Sequence, residues 1–134
     1  MLGHRGARES APENSQRAFA LALDEGADGV ELDVRLDGDG RVIVLHDAEL
    51  ARVSHGSETR AAEELGAAEL ARVDLGGGER VPLLVDVLRA FRERGARVNV
   101  ELKRDVRRPS ALLGGVERAV RESGAPPELV IFSS

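Results

Sequence analysis

Two stretches, Val30-Glu31-Leu32-Asp33-Val34 and Val98-Asn99-Val100-Glu101-Leu102, constrain this chain more than any other feature. In each, apolar and polar residues alternate one for one. Successive side chains of a strand point to opposite faces of a sheet. Val30, Leu32 and Val34 therefore share one face with Val98, Val100 and Leu102 in mind as their counterparts, while Glu31 and Asp33 share the other. Glu101 and Lys103 form a second such pair. A sheet of this kind needs its apolar side covered by helices. It leaves carboxylates lining a barrel or cleft, the setting of a metal site.

The intervening segments supply those helices. Leu2-Gly3 reads as the end of a short strand, and a polar turn runs through Pro12. Phe19, Ala22 and Leu23 make an i, i+3, i+4 stripe in a helix from Ser15 to Glu25, which Gly26 ends. Ala27 to Leu36 is then a strand, and Arg41 to Leu45 another. Only the turn-forming Asp37-Gly38-Asp39-Gly40 lies between them, so the pair is an antiparallel hairpin that brings His46 back toward Glu31 and Asp33. Residues 48 to 80 read mostly as loop, with a short helix near Ala67 to Arg72. The triple glycine at 76 to 78 lacks a following Lys-Ser/Thr, so it is a flexible connector rather than a phosphate cradle.

The pattern then restarts. Pro82 suits a first helical turn; Leu84, Val87, Leu88 and Phe91 are spaced for one helix face, and Gly95 ends that helix. Arg97 to Lys103 is a strand. Pro109 opens another helix, whose apolar face carries Leu112, Leu113, Val116, Ala119 and Val120 and which Gly124 closes. Leu129 to Phe132 is a buried-strand run. Strands alternating with helices in this way predict an α/β fold with a parallel sheet.

Composition removes several functions. There are three Phe, no Trp and no Tyr, so a base-stacking platform for single-stranded nucleic acid is excluded. The formal net charge of -5 leaves no basic footprint for nucleic acid or an anionic membrane. Without cysteine there is no disulfide, thiolate zinc site or cysteine nucleophile. No apolar stretch reaches membrane-spanning length, and His4-Arg5 follows the start with no apolar leader, so a soluble cytoplasmic protein is the expectation.

Taken in order, His4-Arg5-Gly6, Pro12-Glu13-Asn14-Ser15, Gly26-Ala27-Asp28, Glu31-Leu32-Asp33-Val34, Asp39-Gly40 and His46-Asp47 resemble the glycerophosphodiester phosphodiesterase family. Arg52, Val81-Pro82-Leu83 and Glu101-Leu102-Lys103 extend the resemblance. It implies a TIM-type (β/α)8 barrel with a small insertion after the second strand, corresponding here to residues 34 to 80. It implies hydrolysis of glycerophosphodiesters to glycerol 3-phosphate and an alcohol. By position it makes Glu31, Asp33 and Glu101 ligands of a divalent cation, His4 and His46 the acid-base pair, and Arg5 and Lys103 contacts to the phosphate. Three carboxylates and no thiolate describe a hard oxygen site, suited to Mg²⁺ or Ca²⁺. Asp47 is expected to orient a histidine from behind. Asn14 and Ser15 are read as helix-capping residues, Glu13 as a complement to the helix dipole, and His55 as idle.

A closed barrel of this type needs roughly 250 residues, against 134 here. The expected architecture is therefore an N-terminal half-barrel of about four parallel strands, ending on an uncovered strand. Either it is a piece of a longer protein, or a partner or second copy completes it. Alone, it should be poorly stable and at best weakly active. A non-catalytic half-barrel that binds metal or phosphate or serves as an assembly subunit is the alternative. A relative of sphingomyelinase D or of phosphoinositide phospholipases is the enzymatic one.

Overall fold

A computed structural model describes residues 2–133. Its centre is strand β2 (Gly29–Leu36), which pairs in parallel with β1 (Leu2–His4) on one side and β4 (Arg97–Leu102) on the other. Strand β5 (Val130–Ser133) pairs in parallel with β4. Beyond the short β1, the same side of β2 is taken up by β3 (Val42–Val44), antiparallel and in register Val34↔Val44 and Leu36↔Val42. The hairpin is thus the one expected, and its register places Leu45 N–H on the carbonyl of Asp33 at 2.9 Å.

Three helices cover one face of this sheet. Helix α1 (Gln16–Asp24) begins where the Ser15 hydroxyl accepts a hydrogen bond from Ala18 N–H. Helices α3 (Leu84–Arg94) and α4 (Pro109–Ser123) end at Gly95 and Gly124, both in the left-handed conformation that glycine adopts without a Cβ penalty. Pro109 opens α4 as expected. Pro82 does not open α3. It precedes the helix, and its carbonyl accepts from Val44 N–H at 2.9 Å, so it extends the sheet edge instead.

The main core lies between these helices and the apolar face of the strands. Val30, Leu32, Val34, Val98 and Val100 pack against Phe19, Leu84, Val87, Leu88, Phe91, Leu112 and Val116. Phe19 and Phe91 meet edge to face with ring centroids 5.6 Å apart. Gly6 matters to this packing. A Cβ there would lie 2.6 Å from the backbone of Ala18, so only glycine lets the β1–α1 turn approach α1 this closely.

The segment from 45 to 83 departs from the expectation of mostly loop. It contains a 3₁₀ turn (Ala62–Glu64) and α2 (Ala67–Leu70), and it builds a second core from Ile43, Leu45, Leu50, Ala62, Leu65, Leu70, Val73 and Leu75. Its apolar residues are too widely spaced for a periodic signal, yet they converge because Ile43 projects from the opposite face of β3 to Val42 and Val44. Residues 76 to 78 form an ordered turn in which Asp74 Oδ1 accepts from Gly76 and Gly78 N–H, at 2.7 and 3.2 Å. No helix among the described residues is long and apolar enough to cross a membrane.

The layer order assigns a clear cost to core truncation. Leu88→Ala empties a fully buried site and should destabilise the fold by about 2–5 kcal/mol in urea denaturation. Leu113→Ala, at a position 49% exposed on α4, should stay within about 0.5 kcal/mol of the parent.

Candidate active site

The face of the sheet away from the helices carries the charged residues. Strand register brings them together in rows: His4 lies opposite Glu31 and Glu31 opposite Asn99, while Asp33 lies opposite Glu101 and Glu101 opposite Ser133. One step further along β2, on the same face, stands Arg35. All of these approach the carboxyl ends of the parallel strands, where barrel active sites assemble.

Asp33 is the most deeply placed of the three acids Glu31, Asp33 and Glu101, only 1% exposed. A buried carboxylate must be paired or hydrogen-bonded to remain charged. Asn14 donates its side-chain N–H to Asp33 Oδ2 at 3.1 Å, and Arg5 Nε stands 3.4 Å from the same oxygen without the alignment of a hydrogen bond. Both partners come from the β1–α1 turn, and both hold left-handed backbone conformations, with φ of 55° at Arg5 and 56° at Asn14. Asn14 is therefore a site residue. Only Ser15 caps the helix, contrary to the expectation that both residues do so.

Glu101 is paired with Lys103 Nζ at 3.1 Å, and that contact holds its carboxyl below the usual glutamate range. His46, a third exposed, follows β3 and sits across a cleft of about 760 Å³ from Glu101 and Lys103. Two contacts fix it. Arg35, 2% exposed, donates from Nε to the His46 carbonyl at 2.8 Å and reaches Asp105 Oδ1 through Nη2, also at 2.8 Å. Asp47 Oδ1 lies 2.7 Å from His46 Nδ1. Arg52 bonds Asp47 in turn, and together with His46 it holds the Asp47 carboxyl down at about 2. A carboxylate ionised this far can only accept, so this contact favours a proton on Nδ1.

The charged residues continue as a chain of contacts. Arg52 also grips Glu13 through two bonds of 2.6 and 2.9 Å, and Glu13 lies 3.4 Å from Arg5. Glu13 therefore serves the site rather than the dipole of α1, whose first turn holds no acidic residue. Its carboxyl is lowered, chiefly by the hydrogen bonds from Arg52. His4 is exposed and borders a separate, smaller groove with Ala7, Arg8 and Glu25, so it does not share the His46 cleft. His55 is exposed and lines a separate small cavity with Pro12, Glu13, Arg52 and Leu75.

Sequence reasoning passed over Arg35 and Asp105 altogether. Arg35 was discoverable, because it continues the i+2 row of Glu31 and Asp33. Asp105 was not, since it lies in the loop after β4 and meets Arg35 across 70 residues.

A test for a divalent cation can be made on the donor chemistry. Among the described residues, no three His, Asp or Glu side chains converge closely enough to enclose a metal ion. The donors are nevertheless hard oxygens on one face, and Asn14 Oδ1 is buried beside Asp33 with no hydrogen-bond partner. An oxygen lone pair left unmatched next to a carboxylate suits a cation and not a further donor-poor neighbour. Meanwhile Arg5 and Lys103 neutralise the acids.

Comparison with known proteins matches this arrangement to one group. The model of the glycerophosphoryl diester phosphodiesterase family matches residues 4–123. A glycerophosphodiester phosphodiesterase of Caldanaerobacter subterraneus is 31% identical over 99% of this chain and 57% of its own length. One from Bacillus altitudinis is 38% identical over 91% of this chain and 51% of its own. Among solved structures, an Oleispira antarctica phosphodiesterase in complex with the product sn-glycerol-3-phosphate superposes with a TM-score of 0.89 at 29% identity, covering 99% of this chain and 56% of that one. A glycerophosphodiester phosphodiesterase from Agrobacterium tumefaciens gives 0.85 at 35% identity over 99% and 56%. The chain spans about half the length of the curated relatives it matches. The fold is that of a TIM-type barrel, of which these residues form an open half with four parallel strands and the β2–β3 hairpin.

The Asp47 contacts set an acid limb. Its folded pKa lies below the ordinary 3.8, so it stabilises the fold above that value and the contribution drains away as the pH falls through about 2. In urea denaturation, the stability gap between the parent and Asp47→Asn should hold steady above about pH 5 and close between pH 4 and 2. A gap that persists unchanged at pH 2 would show that Asp47 is not held ionised.

Proposed function

The chain belongs to the glycerophosphoryl diester phosphodiesterase family, and from that membership we propose that it carries the metal-binding and proton-transfer residues for hydrolysing glycerophosphodiesters to glycerol 3-phosphate and an alcohol. On this reading residues 1–134 are part of one such domain, with 34 to 80 as its insertion. The observation that carries the proposal is the row Asp33–Glu101 beside a cleft lined by His46 and Lys103. The product glycerol 3-phosphate bound to the Oleispira antarctica phosphodiesterase supports the substrate class.

The roles follow from the chemistry of each group. Glu31, Asp33 and Glu101 would hold the divalent cation, Mg²⁺ or Ca²⁺, together with the unmatched Asn14 oxygen. Such a cation would polarise the phosphoryl group and offset its growing negative charge. Lys103 and Arg5 supply fixed positive charge to the phosphate oxygens, whose charge rises in the transition state. His46 and His4 divide the two proton transfers, one removing a proton from the attacking oxygen and the other protonating the leaving alkoxide. Arg35 keeps His46 at the cleft through its carbonyl. His4 borders a different groove from His46, so on this reading the two imidazoles would meet at one phosphate only with substrate bound.

Incubating the purified chain with glycerophosphocholine and Mg²⁺ or Ca²⁺ should release glycerol 3-phosphate, and EDTA should abolish it. His46→Ala and His4→Ala should each cost about 10²–10⁴ in rate. Turnover indifferent to EDTA and to both substitutions removes the assignment.

A further inference from the structure

Arg52 lies outside the residues that the proposed reaction uses, yet it is the most heavily bonded side chain near the cleft. Its Nε donates to Asp47 Oδ2 at 2.9 Å and its Nη2 to Asp47 Oδ1 at 3.1 Å. Its Nη1 and Nη2 donate to Glu13 Oε1 and Oε2 at 2.6 and 2.9 Å. One planar guanidinium thus holds two carboxylates, each through two oxygens, and this geometry belongs to arginine alone among the cations. Glu13 is 13% exposed and anchored on the β1–α1 turn, whereas Asp47 and Arg52 sit on the chain that leaves β3. The fork therefore ties the loop bearing His46 to the loop bearing Arg5 and Asn14.

From this geometry we infer that Arg52 is a positioning residue, clamping Asp47 against His46 so that the imidazole keeps its proton on Nδ1 and turns a bare Nε2 to the cleft. The inference rests on His46 as a proton-transfer group. His46 and Asp47 are chain neighbours, and neighbouring side chains do not ordinarily face each other. A contact of 2.7 Å between them requires the Asp47 carboxylate to be turned back and held there. Arg52 does the holding from the far side, and Glu13 keeps Arg52 from swinging into solvent. An isolated ion pair at a half-exposed arginine contributes little to stability. Its value here is orientation. A lysine would supply the charge but not the fork, so charge alone does not replace it.

The consequence can be read on the imidazole itself. The chain has three histidines, so a long-range ¹H–¹⁵N spectrum is sparse, and His46 is assigned by the signals lost in His46→Gln. At about pH 8.5, well above the ordinary histidine value of roughly 6.5, the parent should show His46 in the Nδ1–H form. Arg52→Lys and Arg52→Met should shift the two ¹⁵N resonances toward each other, as the population moves to the Nε2–H form. Glu13→Gln should do the same to a smaller degree, and a parent-like amide spectrum establishes that each variant is folded. If Arg52→Met perturbs folding, Arg52→Lys and Glu13→Gln carry the test. Retention of the full Nδ1–H signature in the folded Arg52 variants, or an Nε2–H form in the parent, overturns the inference. Absence of glycerophosphocholine turnover alongside the expected tautomer shift would instead count against the hydrolase reading.

Discussion

A single buried charge organises the site. Asp33 stands on the central strand with water almost wholly excluded, and an unpaired carboxylate in that position would be severely destabilising. The β2 backbone cannot supply its partners, because its N–H groups are committed to the ladders with β1, β3 and β4. Partners must arrive from another segment, and they arrive from the turn after β1. Arg5 and Asn14 reach Asp33 only by adopting left-handed backbone conformations, each of order 1–3 kcal/mol for a residue with a side chain. Gly6 between them permits the turn to lie against α1. The strain is thus tied to the pairing of one carboxylate, and the same turn brings Arg5 to Asp33 and Glu13 to Arg52.

The second organising element is the hairpin. Because β3 returns alongside β2 in a fixed register, Ile43 faces away from the main core and gathers the 45–83 segment around itself. That segment then has a core of its own. His46 sits at the joint between the two bodies. Arg35 reaches it from the sheet and Asp47 with Arg52 from the lobe, so its position depends on both being folded. Buried Arg35 also draws in the loop after β4 through Asp105.

The sequence made the elements readable where one period dominated. Alternation in β2 and β4, the i, i+3, i+4 stripe of α3 and the glycine stops at 95 and 124 each express a local rule that the tertiary structure does not override. Pro82 was misread because a proline before a helix and a proline in its first turn look alike in sequence, and only the bond from Val44 separates them. The lobe was hidden because Leu50, Leu65, Leu70, Val73 and Leu75 follow no repeat. Within the site, alternation placed Glu31, Asp33 and Glu101 on a common face. It could not assign Asn14, whose short polar side chain serves a cap and a buried carboxylate equally well. Nor could it pair residues such as Arg35 with Asp105, or Arg52 with Glu13, whose contacts are made across 70 and 39 positions.

Cationic side chains also offset the negative charge that the acids bring to this face. Two carboxylates in adjacent strands repel one another unless cations intervene. Arg5 and Lys103 occupy that role, standing 3.4 Å from Asp33 and 3.1 Å from Glu101. Were the acids to hold the proposed divalent cation, Arg5 and Lys103 would be available to an anionic substrate. Both cationic side chains pair with carboxylates here, and on the proposed function each would turn to phosphate oxygens, acceptors of the same anionic kind. Arg35 and Arg52 do not share this freedom. Their bonds go to a backbone carbonyl and to carboxylates that hold them in place, so these two arginines fix the frame of the site.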